Sequence, residues 1–370
     1  MKIDAIEIYR LAVPIIGYYK TAFARAECFN SILVKLISGK NYGWGEAAPW
    51  GFPGFCGECD ITAYQVAKTF IAPLLLGQDI ETGKALQQKL AGIKENNFAK
   101  AAFDLAWWDL YAKERKTPLW KLIGGENDEA EGGAAIGALD SIDLLMEEVQ
   151  KVVDAGYPRI KLKYCPGWEL KMLRALRKNF PNVIIHIDCN SAYTLADLDM
   201  FKKLDACNLA MIEQPLMHDD LLDHAVLQSK IGTPICLDES ITSADKARKA
   251  IQLKACKWIN IKHGRVGGIT NALLVHDICK ISNIPCWIGS MGESAIGYAF
   301  SLALATLPNI KYPSDILPSS RYYEKDLGYP VLQNPVPGKF IAFPVPGIGV
   351  EPDPEMLANT SVEKTFAGKA

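Results

Sequence analysis

The larger, later part of the chain alternates short apolar runs with longer stretches of helical periodicity. The runs are rich in isoleucine and valine and contain few polar residues, as is typical of parallel strands that are buried on both faces. They cover residues 134–139, 159–163, 183–188, 209–213, 233–238, 258–262 and 285–289. Helical segments between them include 169–179 and 244–253. This alternation predicts an α/β fold with a parallel barrel.

The first third of the chain has a different pattern. Alternating apolar residues predict strands at 3–12, 30–38 and 42–47, with a hairpin turn that begins at Gly39. Helical periodicity then continues from about 61 to 124 and includes a helix that ends near Lys113. At 370 residues the chain exceeds the usual size of one hydrophobic core. We therefore assign residues 1–125 to an α+β domain and residues 126–324 to the barrel.

One spacing of charged residues stands out against the apolar runs. Lys163, Asp188, Glu213 and Asp238 follow one another at intervals of 25 residues, and Lys262 comes 24 residues later. Each of them is the last residue of its run. A strand–loop–helix–loop unit has about this length, and the carboxyl ends of barrel strands surround one mouth. The spacing therefore predicts that five charged side chains converge at this mouth.

Three carboxylates in a partly buried mouth would repel one another, which strongly disfavours their ionisation. A divalent cation removes this conflict. Oxygen ligands from Asp188, Glu213 and Asp238 favour Mg²⁺, with Mn²⁺ as a substitute, over zinc, which prefers cysteine and histidine. We therefore expect a magnesium site with open positions for a substrate carboxylate.

The two lysines have a chemical role in such a site. A free lysine ammonium has a pKa of about 10.4 and is a poor base at neutral pH. Lys161 and the metal are cations, so we expect them to lower the pKa of Lys163. Lys262 lies on the fourth strand after Lys163, which places the two lysines across the mouth from each other. They can then act on opposite faces of a substrate whose α-proton the metal makes acidic.

The composition and charge of the chain argue against nucleic acid and membranes as partners. The chain has 40 basic and 42 acidic side chains, a net charge of -2 and no run of lysine or arginine, so we expect no nucleic acid partner. No apolar run approaches the roughly 20 residues that span a bilayer, and Pro14 interrupts the one near the N-terminus. We expect a cytoplasmic protein without a signal peptide. The ten cysteines, including the Cys56 and Cys59 pair, are then expected to be free thiols.

The motifs at the strand ends resemble the muconate-lactonizing-enzyme-like subgroup of the enolase superfamily. The resemblance lies in Lys161-Leu-Lys163, Asp188-Cys-Asn190, Glu213-Gln-Pro215 and Asp238-Glu239-Ser240. A lysine at 262, in place of a histidine–aspartate dyad on later strands, differs from the mandelate racemase pattern. Longer similar runs at 156–163, 233–240, 260–268 and 319–326 resemble the o-succinylbenzoate synthase / N-acylamino acid racemase branch.

The resemblance implies a (β/α)7β TIM-like barrel whose capping domain is completed by the C-terminal tail, from about residue 325 to 370. It also implies Mg²⁺-dependent removal of a proton next to a carboxylate. The implied activity is o-succinylbenzoate synthase, a dehydration in menaquinone biosynthesis, together with N-acylamino acid racemase activity. The partner would be a small-molecule carboxylate substrate, and we expect a homo-oligomer.

Several further residues are expected to bind substrate or to support the site. They are Lys161, Asn190, Glu239, Arg265, Ser290, Met291, Glu293 and Phe23. We expect Arg265 either to lower the pKa of Lys262 or to pair with a surface carboxylate. Glu293 is expected either to be catalytic or to pair with a lysine. Four residues depart from the family pattern and leave the substrate open: Phe29, Ala135, His263 and Gly292.

Three alternatives remain at the level of the sequence. The chain can be another racemase, epimerase or cycloisomerase of the same subgroup. A metal-free barrel in which a lysine forms a Schiff base is a second possibility, but it leaves the three evenly spaced carboxylates unexplained. A barrel retained as a non-catalytic binding protein is the third, and it is disfavoured because every catalytic position is filled.

Overall fold

The structure is a computed structural model that describes residues 1–20, 25–164, 166–167 and 169–368. Its strands are β1 (Ala5–Lys20), β2 (Arg25–Ser38), β3 (Asn41–Ala47), β4 (Glu129–Glu131), β5 (Ala134–Ile136), β6 (Arg159–Lys163), β7 (Ile184–Asp188), β8 (Ile212–Glu213), β9 (Ile235–Leu237), β10 (Trp258–Ile261), β11 (Cys286–Ile288), β12 (Gly328–Tyr329), β13 (Lys339–Ile341), β14 (Glu351–Pro352) and β15 (Ser361–Gly368).

The α-helices lie between these strands in the chain. They are α1 (Asp60–Val66), α2 (Ala72–Leu75), α3 (Gly83–Leu90), α4 (Asn97–Glu114), α5 (Leu119–Leu122), α6 (Ile142–Asp154), α7 (Glu169–Asn179), α8 (Leu198–Leu204), α9 (Leu221–Lys230), α10 (Ala244–Gln252), α11 (His263–Val266), α12 (Ile269–Ile281), α13 (Ala295–Ala305) and α14 (Pro354–Thr360). Several begin at a serine whose hydroxyl accepts a free backbone N–H of the first turn, as Ser141, Ser243 and Ser294 do. Within the described ranges, no helix has the length and hydropathy needed to cross a bilayer.

The N-terminal strands form an antiparallel sheet in the order β15-β1-β2-β3. The register pairs Ile8 with Val34 and Thr365, so the last strand of the chain adds to the edge of the first. The three predicted N-terminal strands and the hairpin at Gly39 are confirmed, although β1 extends well beyond residue 12. We call this sheet, with the helices packed on it, the cap. The division of the chain near residues 125 and 325 stays a prediction.

The barrel sheet has seven parallel strands in chain order, from β5 to β11. All seven predicted apolar runs contain one of these strands, and β6 matches its prediction at both ends. Residues 310–316 close the remaining gap without forming a regular strand. In this segment the N–H of Lys311 donates to the carbonyl of Cys286 at 2.9 Å, and the carbonyl of Ser314 accepts from the N–H of Gly133 at 2.8 Å. The barrel is therefore (β/α)7β, as predicted.

Two buried carboxylates join the cap to the barrel. Glu46, on β3, accepts the N–H of Ser294 and of Gly297 at the start of α13. Asp104, on α4, accepts the N–H of Thr270 at the start of α12. Burial raises the pKa of Glu46 to about 7 and that of Asp104 to about 6. Each carboxylate satisfies N–H groups that a helix start leaves without a partner, so the helix positions depend on the cap.

The contact between β3 and α4 depends on a glycine. A Cβ atom on Gly45 would lie closer than 3.0 Å to the backbone of Ala102 and Ala106. We expect Gly45→Ala to lower the free energy of unfolding by about 1–3 kcal/mol, because helix and strand must separate. Gly92→Ala is the matched control, because its Cβ would meet no atom within 4 Å. Urea unfolding of both variants measures the difference, and equal midpoints would contradict the close approach.

Candidate active site

The five charged residues that share one spacing meet at the carboxyl-terminal mouth of the barrel. Lys163, Asp188 and Glu213 are the last residues of β6, β7 and β8, while Asp238 and Lys262 directly follow β9 and β10. The Nζ of Lys163 lies 2.8 Å from Oδ2 of Asp188, and the Nζ of Lys262 lies 2.8 Å from Oδ2 of Asp238. The predicted convergence is thus observed.

The three carboxylates are buried, and one oxygen of each lies within 4.8 Å of the others. Oε2 of Glu213 and Oδ2 of Asp238 accept no well-directed hydrogen bond from the described residues. Lysine ammonium groups nevertheless lie 2.9 Å and 2.8 Å from these two oxygens, so the contacts are ion pairs of poor hydrogen-bond geometry. A cluster of buried oxygens with free lone pairs fits a hard divalent cation such as Mg²⁺.

Lys161 neutralises much of the negative charge below the mouth. Its Nζ lies 3.0 Å from Asp188, 2.9 Å from Glu213 and 3.4 Å from Asp315. Burial disfavours its positive charge, but these carboxylates together raise its pKa well above the usual value. The same ammonium, with the guanidinium of Arg159, holds the pKa of Asp315 below its usual range despite burial. Lys161 therefore stays charged and supports the carboxylate cluster.

The environment of Lys163 differs from the expectation. Its ammonium donates to Asp188 at 2.8 Å and to Asn190 at 2.6 Å. Burial acts to lower the pKa of Lys163 and so does Lys161, but the charge of Asp188 outweighs them and the pKa is raised. The prediction of a lowered pKa includes the positive charge of the bound metal and stays a prediction; without that charge, the adjacent carboxylate has the larger effect.

Lys262 shows the opposite direction of pKa. Its pKa is lowered, first by burial and then by the charge of Lys161. Its ammonium lies 3.6 Å from Sδ of Met291 and 4.5 Å from the centre of the Phe55 ring, and Asp238 is its ion-pair partner. Apolar surroundings therefore distinguish this lysine from Lys163.

Arg265 pairs with a carboxylate in the interior of the site. Its Nη1 forms an ion pair with Asp238, and its other nitrogens donate to the carbonyls of Asn260 and Ile241 at 2.6 Å and 2.8 Å. The alternative that it pairs with a surface carboxylate was wrong, because both partners are buried. Asp238 thus lies between two cations, Arg265 and Lys262. Arg265 acts on the surroundings of Lys262 through this shared carboxylate.

Two further predicted residues lie at the edge of the carboxylate cluster. The amide of Asn190 donates to Oε1 of Glu239 at 2.9 Å while its oxygen accepts from Lys163. Burial, followed by the charge of Asp188, raises the pKa of Glu239 to about 7. Asn190 thereby connects Lys163 to the carboxyl group that follows Asp238 in the chain.

The loop after β11 contains three of the predicted residues. Oε2 of Glu293 accepts from the hydroxyl of Ser290 and from the N–H of Met291, each at 2.9 Å. Within the described ranges Glu293 forms no ion pair with a lysine, so that alternative was wrong. Nε2 of the buried His263 lies 3.8 Å from Oε1 of Glu293, and burial lowers the pKa of this imidazole, which disfavours its charged form. Glu293 holds the loop in a turn that presents Ser290 and Met291 to the mouth.

A cavity opens between the cap and the barrel mouth. Its described lining is Tyr19, Phe29, Trp50, Phe55, Ala135, Lys161, Lys163, Asn190, Lys262, Ser290, Met291, Gly292, Tyr298, Asp315, Leu317 and Tyr322. The charged groups come from the barrel, whereas the cap contributes aromatic rings. Such a lining suits a carboxylate that carries an apolar or aromatic body. Phe23, which was also predicted to line the site, lies outside the described residues.

Some lining and supporting residues were missed by the sequence analysis. Asp315 follows no regular strand, so neither spacing nor periodicity marks it. Asn260, which donates to Glu213 at 2.8 Å, lies two residues before Lys262 on the same face of β10, and this alternation is a signal that could have found it. Trp50 and Phe55 lie in an irregular loop of the cap, where only the tertiary fold brings them to the barrel.

Comparison with known proteins agrees with this geometry. Residues 6–124 match the family described as mandelate racemase / muconate lactonizing enzyme, N-terminal domain, and residues 144–356 match the enolase C-terminal domain-like family. An o-succinylbenzoate synthase of Geobacillus kaustophilus is 40% identical over 95% of this chain and 94% of its own length. An N-succinylamino acid racemase of Thermus thermophilus is 39% identical over 95% of this chain and 94% of its own.

A solved structure shows the same fold over its whole length. A member of the enolase superfamily from Listeria innocua superposes with a TM-score of 0.95 at 32% identity, covering 99% of both chains. The family matches together include more than half of this chain, and the relatives exceed 35% identity across nearly all of it. The chain belongs to the enolase superfamily.

Proposed function

We propose that this enzyme uses Mg²⁺ to remove a proton next to a carboxylate, forming o-succinylbenzoate by dehydration and also racemising N-acylamino acids. The observation that carries the proposal is the placement of two lysines at the buried carboxylate cluster, one on Asp188 and one on Asp238. Relatives at 36–40% identity include o-succinylbenzoate synthases and N-succinylamino acid racemases, which supports both activities. The substrate is a small-molecule carboxylate. A homo-oligomeric, cytoplasmic enzyme remains our expectation.

Asp188, Glu213 and Asp238 would hold the metal. When bound, Mg²⁺ supplies positive charge that stabilises the enediolate form of the substrate carboxylate. Lys161 keeps Asp188 and Glu213 in place from below, and Asn260 fixes the orientation of Glu213. These partners orient the ligand oxygens, which is the usual role of groups behind a metal ligand.

The lysines move the proton. In its neutral form, one lysine takes the α-proton from the face of the substrate that it approaches. For racemisation, the ammonium of the other lysine returns a proton to the opposite face. For dehydration, one lysine takes the α-proton and then, as an ammonium, gives a proton to the hydroxyl whose bond to carbon breaks, so that it leaves as water, while the other lysine stays cationic beside the developing negative charge. The second lysine therefore donates a proton in racemisation but only supplies positive charge in dehydration.

Two rival functions make different predictions. A Schiff-base mechanism requires a free lysine amine that attacks a carbonyl, and borohydride reduction in the presence of substrate would then attach the substrate covalently. We expect no such adduct, because Lys163 and Lys262 are each paired with a carboxylate. A non-catalytic binding protein would exchange the α-proton of no carboxylate in a broad panel.

The first functional prediction concerns the metal ligands. Asp188→Asn, Glu213→Gln and Asp238→Asn should each lower kcat by at least about a thousandfold, because the cation loses a charged ligand. Dialysis against EDTA should remove activity, and Mg²⁺ or Mn²⁺ should restore it. Binding of Mn²⁺ followed by electron paramagnetic resonance should weaken in each variant. The exposed Asp199→Asn is the control, and full activity after exhaustive chelation would contradict the metal site.

The second prediction separates the two lysines. Lys163→Ala and Lys262→Ala should lose α-deuterium exchange with opposite enantiomers of an N-succinylamino acid, because the side chains serve opposite faces. Nuclear magnetic resonance in D₂O measures each exchange rate separately. Lys202→Ala, on the surface, should exchange both enantiomers as the wild type does. The two-face assignment fails if either site variant loses exchange equally with both enantiomers.

The third prediction concerns Arg265. Removing this guanidinium takes one cation away from Asp238 and from the surroundings of Lys262, which favours the ammonium form of Lys262. Racemisation needs Lys262 as a base for one enantiomer, so Arg265→Met should lower kcat/KM for racemisation about tenfold more than for dehydration. Both activities are measured on the same preparation. Equal losses in the two reactions would assign Arg265 a purely structural role.

A further inference from the structure

The two lysines are held by different parts of the molecule. Among the described residues, the hydrogen-bond acceptors of Lys163 are Asp188 and Asn190, which belong to β7 and the residues just after it. Within the described ranges, the ion-pair partner of Lys262 is Asp238, whose Oδ2 lies 2.8 Å from the ammonium. Its other close neighbours are the ring of Phe55 and the sulfur of Met291. The contacts with Phe55 and Met291 therefore come from outside the strand ends that carry the carboxylates.

Phe55 belongs to the irregular segment of residues 48–59 between β3 and α1, which we call the cap loop. Trp50 lies in the same loop. Its indole N–H donates to the carbonyl of Met291 at 2.7 Å, and both residues are buried. The cap loop thus reaches Lys262 directly through Phe55 and indirectly through Trp50 and Met291.

The backbone of Trp50 is strained. Its φ is 74°, in the left-handed region that bulky residues rarely adopt. Such a conformation persists only where surrounding contacts impose it. The hydrogen bond to Met291 and ring contacts of Trp50 with Tyr19 and Phe29, at 6.1 Å and 5.9 Å between centroids, are contacts of this kind. These contacts hold the indole against the loop after β11.

That loop has little freedom to move away. Glu293 binds the N–H of Met291 from the barrel side, and the hydroxyl of Tyr323 donates to the carbonyl of Glu293 at 2.9 Å. On the cap side, a Cβ on Gly292 would lie 2.8 Å from the Phe29 ring, so ring and backbone already touch. Met291 is held from both sides, and its side chain keeps a defined position against Lys262.

We propose that Trp50 is a positioning residue for Lys262, and that the cap loop thereby controls proton transfer on one face of the substrate only. This inference rests on the proposed function, in which the lysines serve opposite faces. Trp50 fixes the backbone of Met291, Met291 and Phe55 confine the Lys262 ammonium, and Asp238 supplies the counter-charge. Lys163 keeps its acceptors on β7 and in the residues just after it when the cap loop is disturbed.

The test removes the indole N–H and keeps an aromatic ring. Lys262→Ala identifies the enantiomer whose α-deuterium exchange depends on Lys262. With this enantiomer, Mg²⁺-loaded Trp50→Phe should exchange about tenfold more slowly than the wild type, because a small misplacement of a catalytic group lowers the rate strongly. Exchange with the other enantiomer should change less than about twofold. Phe55→Leu should shift the ratio of the two rates in the same direction. N-succinylphenylalanine, as separate enantiomers, is the probe.

Trp120→Phe is the matched control. Trp120 is also largely buried, but its indole nitrogen has no hydrogen-bond partner among the residues that the structure describes. This variant loses the same atoms from a tryptophan outside the site and should leave the ratio of the two exchange rates unchanged. Equal losses for both enantiomers in Trp50→Phe, or no loss for either, would overturn the positioning role.

A measurement without substrate separates this inference from the proposed function. Limited acetylation with acetic anhydride, read by mass spectrometry on Mg²⁺-loaded protein, compares the reactivity of Lys262 with that of Lys163. Trp50→Phe should raise the Lys262-to-Lys163 ratio several-fold, because Lys262 is less confined. An unchanged ratio would overturn the inference. Absence of exchange in the wild type would contradict the proposed function, and the acetylation ratio would still decide whether Trp50 positions Lys262.

Discussion

Mutual neutralisation of buried charge governs the mouth of this barrel. Three carboxylates lie within 4.8 Å of one another and are almost fully buried, which is tenable only when cations lie among them. Lys161 bridges Asp188 and Glu213 from below, while Lys262 and Arg265 share Asp238. Removing Lys161 would take a cation from both Asp188 and Glu213, and removing Asp238 would take a carboxylate from both Lys262 and Arg265. The arrangement therefore behaves as one electrostatic unit and not as a set of independent pairs.

Buried carboxylates also connect the cap to the barrel. Glu46 and Asp104 are buried carboxylates of the cap that accept N–H groups at the starts of barrel helices α13 and α12. Helix α13 follows the loop of Ser290–Glu293, and that loop touches Lys262 through Met291. We therefore expect a displacement of the cap to change the helix starts, then the loop, and finally the surroundings of Lys262. The cap lines one side of the cavity at the barrel mouth and also contributes the ring of Phe55 to the surroundings of Lys262.

The pKa values of the two lysines are shifted in opposite directions. Lys163 lies against Asp188, and its pKa is raised because the adjacent carboxylate outweighs burial. Lys262 has aromatic and thioether neighbours, and burial followed by Lys161 lowers its pKa. The two ammonium groups therefore differ in how readily each loses its proton. A racemase needs both lysines to exchange protons, so small changes around Asp238 can favour one reaction over the other.

The sequence by itself determined the class of fold and the chemical core of the site. Buried parallel strands need uninterrupted apolar runs, and a repeat of 25 residues places Lys163, Asp188, Glu213 and Asp238 at equivalent strand ends. The site residues outside this repeat could be identified only from the tertiary structure. Asp315, in an irregular closing segment, and Trp50, in a cap loop, lie far along the chain from the groups they serve. The directions of the lysine pKa values also required the structure, because they depend on which charge is nearest in space and how far water is excluded.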